Sequence, residues 1–269
     1  MALPIASALA AVPRSCFILG AGRSGTSLTA GMLAEAGYFM GEQLYPADEG
    51  NPRGYFEDPV INGINEGLLA QLLPAPRPTL NDKLLRRPRP RAQWDRWLAE
   101  LPPDEAIPCT PRFAERIQPQ VLRRPFCFKD PRFCYTLGVW RRFAPDAATL
   151  CVFRNPDTTA ASMVKQAERY ARLPGGKPVD HQQALRIWRS MYGYALDVHY
   201  PSGGDWLFVH YEQLLAGTAY DAIERLLDTR VDREFADTGL RRSTAPSAAD
   251  SEVAQLYRRL CEYAGFRVD

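Results

Sequence analysis

The 269-residue chain has only three histidines, and its six cysteines show no paired spacing of the kind that binds a metal. It also lacks any run of 18 or more apolar residues, the length that a membrane-spanning helix needs. Neither sign of charge is in excess, because 33 Lys and Arg oppose 31 Asp and Glu and leave a net charge of +2. We therefore expect no cysteine-based metal site, no stable membrane insertion and no nucleic acid partner.

The apolar fraction of 46% and charged fraction of 24% are those of an ordinary globular protein. Cys16, Cys127 and Cys151 lie in apolar, strand-like runs, where cysteine packs as a small hydrophobic residue. Free thiols of this kind indicate a reducing compartment, so we expect a cytoplasmic protein. Residues 2–12 are apolar without a basic segment before them, which predicts a flexible N-terminus over 1–14 and one domain over 15–269.

A glycine-rich loop follows the first apolar run, Cys16 to Leu19, and leads into a segment with helical spacing of apolar residues from Thr26. A helix that starts after such a loop presents unpaired N–H groups and its positive dipole end to one point, which favours an anion. Gly20 and Gly25 stand five residues apart, as in a Walker A loop, but the Walker lysine is missing. The only cation in the loop is Arg23, an arrangement that suits a single phosphate at that point.

Apolar runs alternate with helical patterns along the chain, which predicts a mainly parallel sheet of about five strands flanked by helices. This is a three-layer α/β sandwich of the P-loop NTPase type. The predicted strands are Cys16–Leu19, Tyr38–Gly41, Pro125–Lys129, Thr149–Phe153 and Trp206–Val209. A polar cluster follows most of these runs. Because ligands of parallel sheets bind at the carboxyl ends of the strands, we expect the clusters to meet there.

After the first predicted helix, from Thr26 to Tyr38, the next is one that Asp58 caps, with Pro59 at its first position and its end near Leu73. The others cover about 135–143, 156–172, 181–200, 220–227 and 251–264. Residues 74–125 hold eleven of the 23 prolines, with two short helices expected near 94–101 and 112–122. This insert is either a solvated linker or a lid on the substrate side.

The loop Gly20–Ser27 resembles the 5′-phosphosulfate loop of sulfotransferases that use 3′-phosphoadenosine 5′-phosphosulfate (PAPS). The run Val152–Pro156 with Ser162 is similar to the motif of that family that holds the 3′-phosphate. The resemblance covers Cys16 to Ser243 and implies PAPS as co-substrate, 3′,5′-ADP as product and no metal. The donor-binding residues that it implies in these two motifs are Gly22, Arg23, Ser24, Gly25, Thr26, Ser27, Arg154 and Ser162.

Two later segments are also similar to this family. Phe208–Leu214 resembles the segment whose tyrosine touches adenine, which makes Tyr211 a candidate, although an interfacial tyrosine would leave the same pattern. Leu240–Ser243 resembles the basic loop that closes over the 3′-phosphate. Either Arg241 or Arg242 would be the cation there.

The run Ala47–Asp58 together with Lys129–Arg132 resembles a bacterial branch of the family rather than the animal cytosolic enzymes, which use a histidine base. Carboxylate-based relatives, among them tyrosylprotein and carbohydrate sulfotransferases, use a glutamate just after the first strand–helix unit. Glu57 is our first choice for the base, while Glu42 and Glu49 remain alternatives. The resemblance implies that Lys129 and Arg23 stabilise charge on the bridging oxygen and the sulfonate. The three histidines, His181, His199 and His210, have no local motif for a base.

Two other functions remain open from the sequence. A P-loop kinase or NTPase would use Mg-ATP, with Asp130 as the metal-binding acid after its strand, and a non-catalytic nucleotide-binding protein would use neither chemistry. The missing Walker lysine argues against the first. We expect the acceptor to offer a hydroxyl on a small molecule, carbohydrate or peptide, and the sequence leaves both its identity and the formation of a homodimer open.

Overall fold

The computed structural model describes residues 12–73, 95–171, 178–235 and 251–267. Four parallel strands form one sheet in the order β2-β1-β3-β4. The strands are β1 (Cys16–Leu19), β2 (Cys127–Lys129), β3 (Ala148–Phe153) and β4 (Trp206–His210). All four therefore end at the same edge, as predicted, and the residues that follow them are brought together there.

Helices cover the sheet on both faces, which confirms the three-layer α/β prediction. Phe17, Leu19, Phe128 and Phe153 contribute to one buried cluster. Their neighbours along the strands, such as Ile18, contribute to a second cluster on the opposite face. This division follows from the alternation of side chains along a strand, with a separate apolar core on each side of the sheet.

The helices mostly match the predicted ones. They are α1 (Thr26–Ala34), α2 (Pro59–Leu69), α3 (Pro111–Val121), α4 (Phe133–Trp140), α5 (Pro156–Ala171), α6 (His181–Tyr194), α7 (Tyr211–Leu215), α8 (Tyr220–Leu227) and α9 (Ser251–Ala264). Asp58 caps α2, accepting hydrogen bonds from the N–H groups of Val60 at 2.6 Å and Ile61 at 3.2 Å. The short α7 was not predicted, because its five residues are too few for a helical period.

The predicted strand Tyr38–Gly41 is not a strand, so the sheet has four rather than about five among the described residues. Phe39 alone pairs with Phe126 in an isolated parallel bridge. Gly37 and Gly41 flank it with φ values of +86° and +131°, outside the extended backbone that a strand needs. A Cβ on Gly41 would lie 2.3 Å from Cβ of Asp58, so this turn fits closely against the cap of α2.

Within these described residues, no helix is long and apolar enough to cross a membrane.

The long helix predicted over 181–200 is a regular α-helix only to Tyr194 and continues as a π-helical turn over Ala195–His199.

Candidate functional site

The loop after β1 turns sharply before α1 begins at Thr26. Gly20 has φ +152° and could not carry a side chain, since its Cβ would lie 2.1 Å from the carbonyl oxygen of Val152 on β3. Gly25 caps α1 with φ +96°, and Arg23 is one of few non-glycine residues with a positive φ, at +74°. The loop is thereby bent around the positive end of α1, as the sequence predicted.

Aromatic rings enclose the loop on two sides. A Cβ on Gly22 would meet Cζ3 of Trp97 at 2.7 Å, and one on Gly25 would meet Cδ2 of Tyr211 at 2.4 Å. Ser24 is fully buried in this loop, and its hydroxyl makes no hydrogen bond of full geometry in the part of the chain that the structure describes, although it lies near the Tyr192 hydroxyl. A buried hydroxyl that is not fully hydrogen-bonded, next to a helix N-terminus, is what an anion-binding loop offers its ligand.

The two predicted phosphate-binding motifs lie side by side. Arg23 donates from Nε to the Ser162 hydroxyl at 3.1 Å and from Nη2 to the Gly50 carbonyl oxygen at 3.0 Å. Arg154 is buried at the end of β3, with its guanidinium carbon 4.4 Å from the ring centroid of Tyr211. Since Tyr211 also packs on the loop glycine Gly25, the β1 loop, the β3 end and the β4 end form one continuous surface.

A buried ion pair joins the loop before α2 to the end of β2. Lys129 donates to Oε1 of Glu57 and, at 3.2 Å, to the hydroxyl of Ser27 at the start of α1. The Lys129 side chain is 2% exposed and that of Glu57 is 12% exposed. Asn62 donates to the other carboxylate oxygen, Oε2, at 2.7 Å. Both oxygens of the Glu57 carboxylate therefore accept hydrogen bonds, and Lys129 links this carboxylate to Ser27, next to the glycine-rich loop.

The alternative bases lie elsewhere. Glu42 is exposed and pairs with Arg123 at the surface, while Glu49 is exposed in the loop before Gly50. Glu57, by contrast, lines a cavity of about 340 Å³ that also reaches Arg23, Ser27 and Lys129. Of the three glutamates, Glu57 alone faces both the cavity and the loop.

The backbone next to Glu57 is held in an uncommon conformation. Phe56 has φ +53°, which costs energy for a residue with a side chain. Its ring packs edge-on against Phe235, with ring centroids 5.8 Å apart. The guanidinium of Arg53 lies over the same Phe235 ring, 5.2 Å from its centroid. The Phe235 ring thus stabilises the turn that presents Glu57.

The cavity has aromatic walls and a polar floor. Four rings line it, those of Tyr45, Tyr55, Trp97 and Tyr170. The hydroxyl of Tyr55 donates to Asp48 at 2.8 Å and accepts from Gln166 at 3.3 Å. Burial, together with hydrogen bonds to Tyr170 and Asp48, raises the pKa of this hydroxyl, which therefore stays protonated at neutral pH.

Asp130, the residue that a kinase would need for its metal, is committed to other partners. It is fully buried, accepts from Nη1 and the N–H group of Arg132 at 2.9 Å, and accepts from Asn65 at 2.9 Å. Arg132 in turn donates to Glu66 at 2.7 Å. These bonds use the carboxylate oxygens that would coordinate Mg²⁺, so the geometry disfavours the kinase interpretation.

None of the histidines reaches the cavity. His210 caps α7 and contacts the Tyr257 hydroxyl at 3.1 Å, and burial with nearby Arg154 lowers its pKa to about 3. Burial likewise lowers the pKa of His199 to about 4, and His181 lies beside Asp157 at 3.2 Å. Each histidine therefore has a structural role, in agreement with the absence of a local motif.

Two predicted donor-binding residues, Arg241 and Arg242, lie outside the described residues, as do parts of the 1–14 and 74–125 segments.

Sequence reasoning missed Trp97, Tyr170 and Asn62 as residues of the candidate site. Asn62 had a signal, because it interrupts the apolar stripe of α2 at a position that helical spacing places on the buried face. Trp97 and Tyr170 had no such signal, since an aromatic residue in a helical pattern usually belongs to the hydrophobic core.

Comparison with known proteins gives a family match over most of the chain. The model of the sulfotransferase family matches residues 15–229. A search of curated proteins finds no match. Among solved structures, the sulfotransferase domain from the curacin biosynthetic pathway is similar with a TM-score of 0.47 and 13% identity, covering 96% of this chain and 99% of that one. Sulfotransferase STF9 from Mycobacterium avium has a TM-score of 0.41 and 16% identity, covering 94% of this chain and 69% of that one.

Proposed function

Since the chain belongs to the sulfotransferase family and is thus a transferase, we propose that it moves a sulfuryl group from PAPS to an acceptor hydroxyl, with Glu57 as the base. The observation that carries this proposal is the bridge formed by Lys129. Its ammonium contacts both Glu57 and Ser27, so the candidate base and the candidate phosphosulfate loop share one cation. A catalytic base must lie within reach of the site where the acceptor is attacked, and this bridge supplies that proximity.

The residues around the loop fit a donor with two phosphates. The buried Ser24 hydroxyl and the start of α1 would hold the 5′-phosphosulfate. Arg154 and Ser162 would hold the 3′-phosphate. The Tyr211 ring, which touches Gly25, would lie beside the adenine of the donor. The hydrogen bond between Arg23 and Ser162 supports this proposal, because the two regions would have to lie near each other for one adenosine bisphosphate to span them.

In the reaction, Glu57 takes the proton of the acceptor hydroxyl as its oxygen forms a bond to sulfur. The bond between sulfur and the bridging oxygen breaks, and its electron pair stays on that oxygen, which leaves on the 5′-phosphate of 3′,5′-ADP. Lys129 and Arg23 stabilise the charge that grows there, a role worth about 10²–10³ in rate for one donor. Positioned base catalysis by Glu57 adds about 10²–10⁴.

A stabilisation assay in EDTA tests the choice of donor. We expect 3′,5′-ADP and PAPS to raise the melting temperature of the protein without metal, because ligands that bind the native state stabilise it. Mg-ATP without EDTA serves as the comparison. Stabilisation by Mg-ATP alone would support a kinase or NTPase instead, and stabilisation by none of the three would leave a protein that binds no such nucleotide.

A further inference from the structure

The cavity next to Glu57 is built for a flat, apolar acceptor. Most of its surface is made of apolar atoms, and four aromatic side chains form its walls. Trp97 meets Tyr170 edge-on, with ring centroids 6.4 Å apart and planes at 80°. Aromatic walls at these angles bind a third ring well, because offset and edge-to-face pairs add to the burial of apolar area. An aliphatic ring gains mainly the burial, and a sugar ring, although its C–H face can pack on an aromatic side chain, must also desolvate several hydroxyls.

The charged groups around the cavity already have partners in the protein. Lys129 pairs with Glu57, and Arg132 pairs with Asp130 and Glu66. Asp48 accepts hydrogen bonds from Tyr55 at 2.8 Å and from the N–H group of Gly50 at 2.7 Å. A charged acceptor would have to give up its hydration and compete with these bonds, which is costly. The lining that the structure describes therefore favours an uncharged acceptor.

The volume sets an upper limit on size. At about 340 Å³, the cavity is near the lower end of the range for small-molecule sites. One end is lined by Gly22, Arg23, Thr26 and Ser27, where the transferred group would lie. What remains holds an acceptor of about one or two rings. An oligosaccharide or a peptide could place only one residue inside.

The base also selects the acceptor by acidity. A single carboxylate removes a proton more readily from a phenol, whose pKa is about 10, than from an aliphatic hydroxyl, which is a much weaker acid. We therefore infer that the acceptor is a small, uncharged phenol whose ring packs against the cavity-facing sides of Trp97 and Tyr170 with its hydroxyl toward Glu57. This inference rests on the proposed function and adds the acceptor class to it.

A panel of hydroxyl compounds tests the inference with the full chain and radiolabelled PAPS. The panel is 2-naphthol, cyclohexanol, glucose and a short tyrosine-containing peptide, each compared by kcat/KM. We expect 2-naphthol to exceed each of the others at least tenfold. Calorimetry in the presence of 3′,5′-ADP supplies a readout besides turnover, and there 2-naphthol should bind more tightly than cyclohexanol by a similar factor.

Variants of the walls separate ring contact from general damage. Tyr170→Ala should raise the KM for 2-naphthol about tenfold, and Tyr170→Phe should restore most of the loss, because the phenylalanine keeps the ring. Tyr263→Ala removes a tyrosine that is 47% exposed on α9, outside the cavity lining, and should leave KM within twofold. None of the three substitutions should alter the affinity for 3′,5′-ADP.

The outcomes distinguish the two proposals. If PAPS and 3′,5′-ADP fail to bind, the proposed function itself is wrong. If they bind but glucose, cyclohexanol or the peptide is preferred, or 2-naphthol receives no label, only the acceptor class is wrong. A Tyr170→Ala variant with an unchanged KM for 2-naphthol would also overturn the placement of the ring.

Discussion

Replacing Glu57 by glutamine is the sharpest test of the proposed mechanism, because it removes the charge and basicity of the carboxylate and keeps its shape. In the native protein, Oε1 of Glu57 accepts from Lys129 and Oε2 accepts from Asn62 at 2.7 Å. A glutamine retains the oxygen that faces Lys129. Its amide N–H₂ would face the Asn62 donor, but Asn62 can turn its own amide, since its Oδ1 has no partner among the described residues.

The expected effects on rate and stability differ in size. Loss of a positioned base lowers kcat about 10²- to 10⁴-fold. The stability cost comes from leaving the Lys129 ammonium, 2% exposed, without its counterion. Breaking a buried pair on one side can cost about 3–5 kcal/mol, although the amide oxygen that remains and the 12% exposure of Glu57 place this change at or below the lower end. The folded variant should therefore bind donor while turning over slowly.

The assay is label transfer from PAPS to the best acceptor of the panel, with calorimetry of 3′,5′-ADP and thermal melting on the same preparation. Glu42→Gln is the matched control, because Glu42 pairs with Arg123 at the surface and should change kcat by less than twofold. The double variant Glu57→Gln with Lys129→Met should regain stability over Glu57→Gln without regaining activity. A Glu57→Gln enzyme with kcat within threefold of the native value would refute the assignment of the base.

Three further results are expected. Arg154→Ala should weaken 3′,5′-ADP binding about ten- to hundredfold by calorimetry, because a charge-assisted hydrogen bond is worth about 1.5–3 kcal/mol. Arg142→Ala is the control, since Arg142 is exposed and its replacement should leave the affinity unchanged. Equal affinities of the two variants would exclude Arg154 from the site. Phe235→Ala should lower kcat several-fold at constant 3′,5′-ADP affinity, because it loosens the turn before Glu57. Phe235→Leu should recover part of the lost kcat. An unchanged kcat in Phe235→Ala would assign the ring a structural role only. The free energy of unfolding should fall as pH drops from about 6.5 towards 4, by up to about 1.4 kcal/mol per pH unit for each of His199 and His210. Their folded-state pKa values lie below the unfolded ones, so the unfolded chain binds the additional protons; urea titrations with a flat profile over this range would contradict their burial as neutral groups.

Much of the fold was predictable because its signals are local. Asp58 followed by Pro59 marks the start of α2, and the apolar runs at β1 and β3 are too short and too regular for helices. The Tyr38–Gly41 prediction failed for a local reason as well. Its aromatic residues have strand propensity, but the glycines on each side adopt positive φ and allow a single bridge at Phe39.

The candidate site was predictable only in part. Lys129 and Glu57 were named from motifs, yet their direct contact depends on how β2 and the loop before α2 approach each other, which no local pattern encodes. The cavity walls depend on such distant approaches even more. Trp97 and Tyr170 are far apart in sequence and meet because a short 3₁₀ turn over Asp95–Leu98 lies against α5.

The polar stripe on α2 explains how these separate segments keep their relative positions. Asn62 binds Glu57 before the helix, Asn65 binds Asp130 after β2 at 2.9 Å, and Glu66 binds both Arg132 at 2.7 Å and Arg96, next to Trp97, at 3.1 Å. Buried charges of this kind stabilise a fold little compared with apolar residues of the same size, because their desolvation offsets their attraction. Burial indeed raises the pKa of Glu66, although both arginines oppose the rise. One face of α2 thus contacts the loop that carries Glu57, the end of β2 and the 3₁₀ turn that carries Trp97. We therefore expect its polar residues to contribute more to the relative positions of these three segments than to stability.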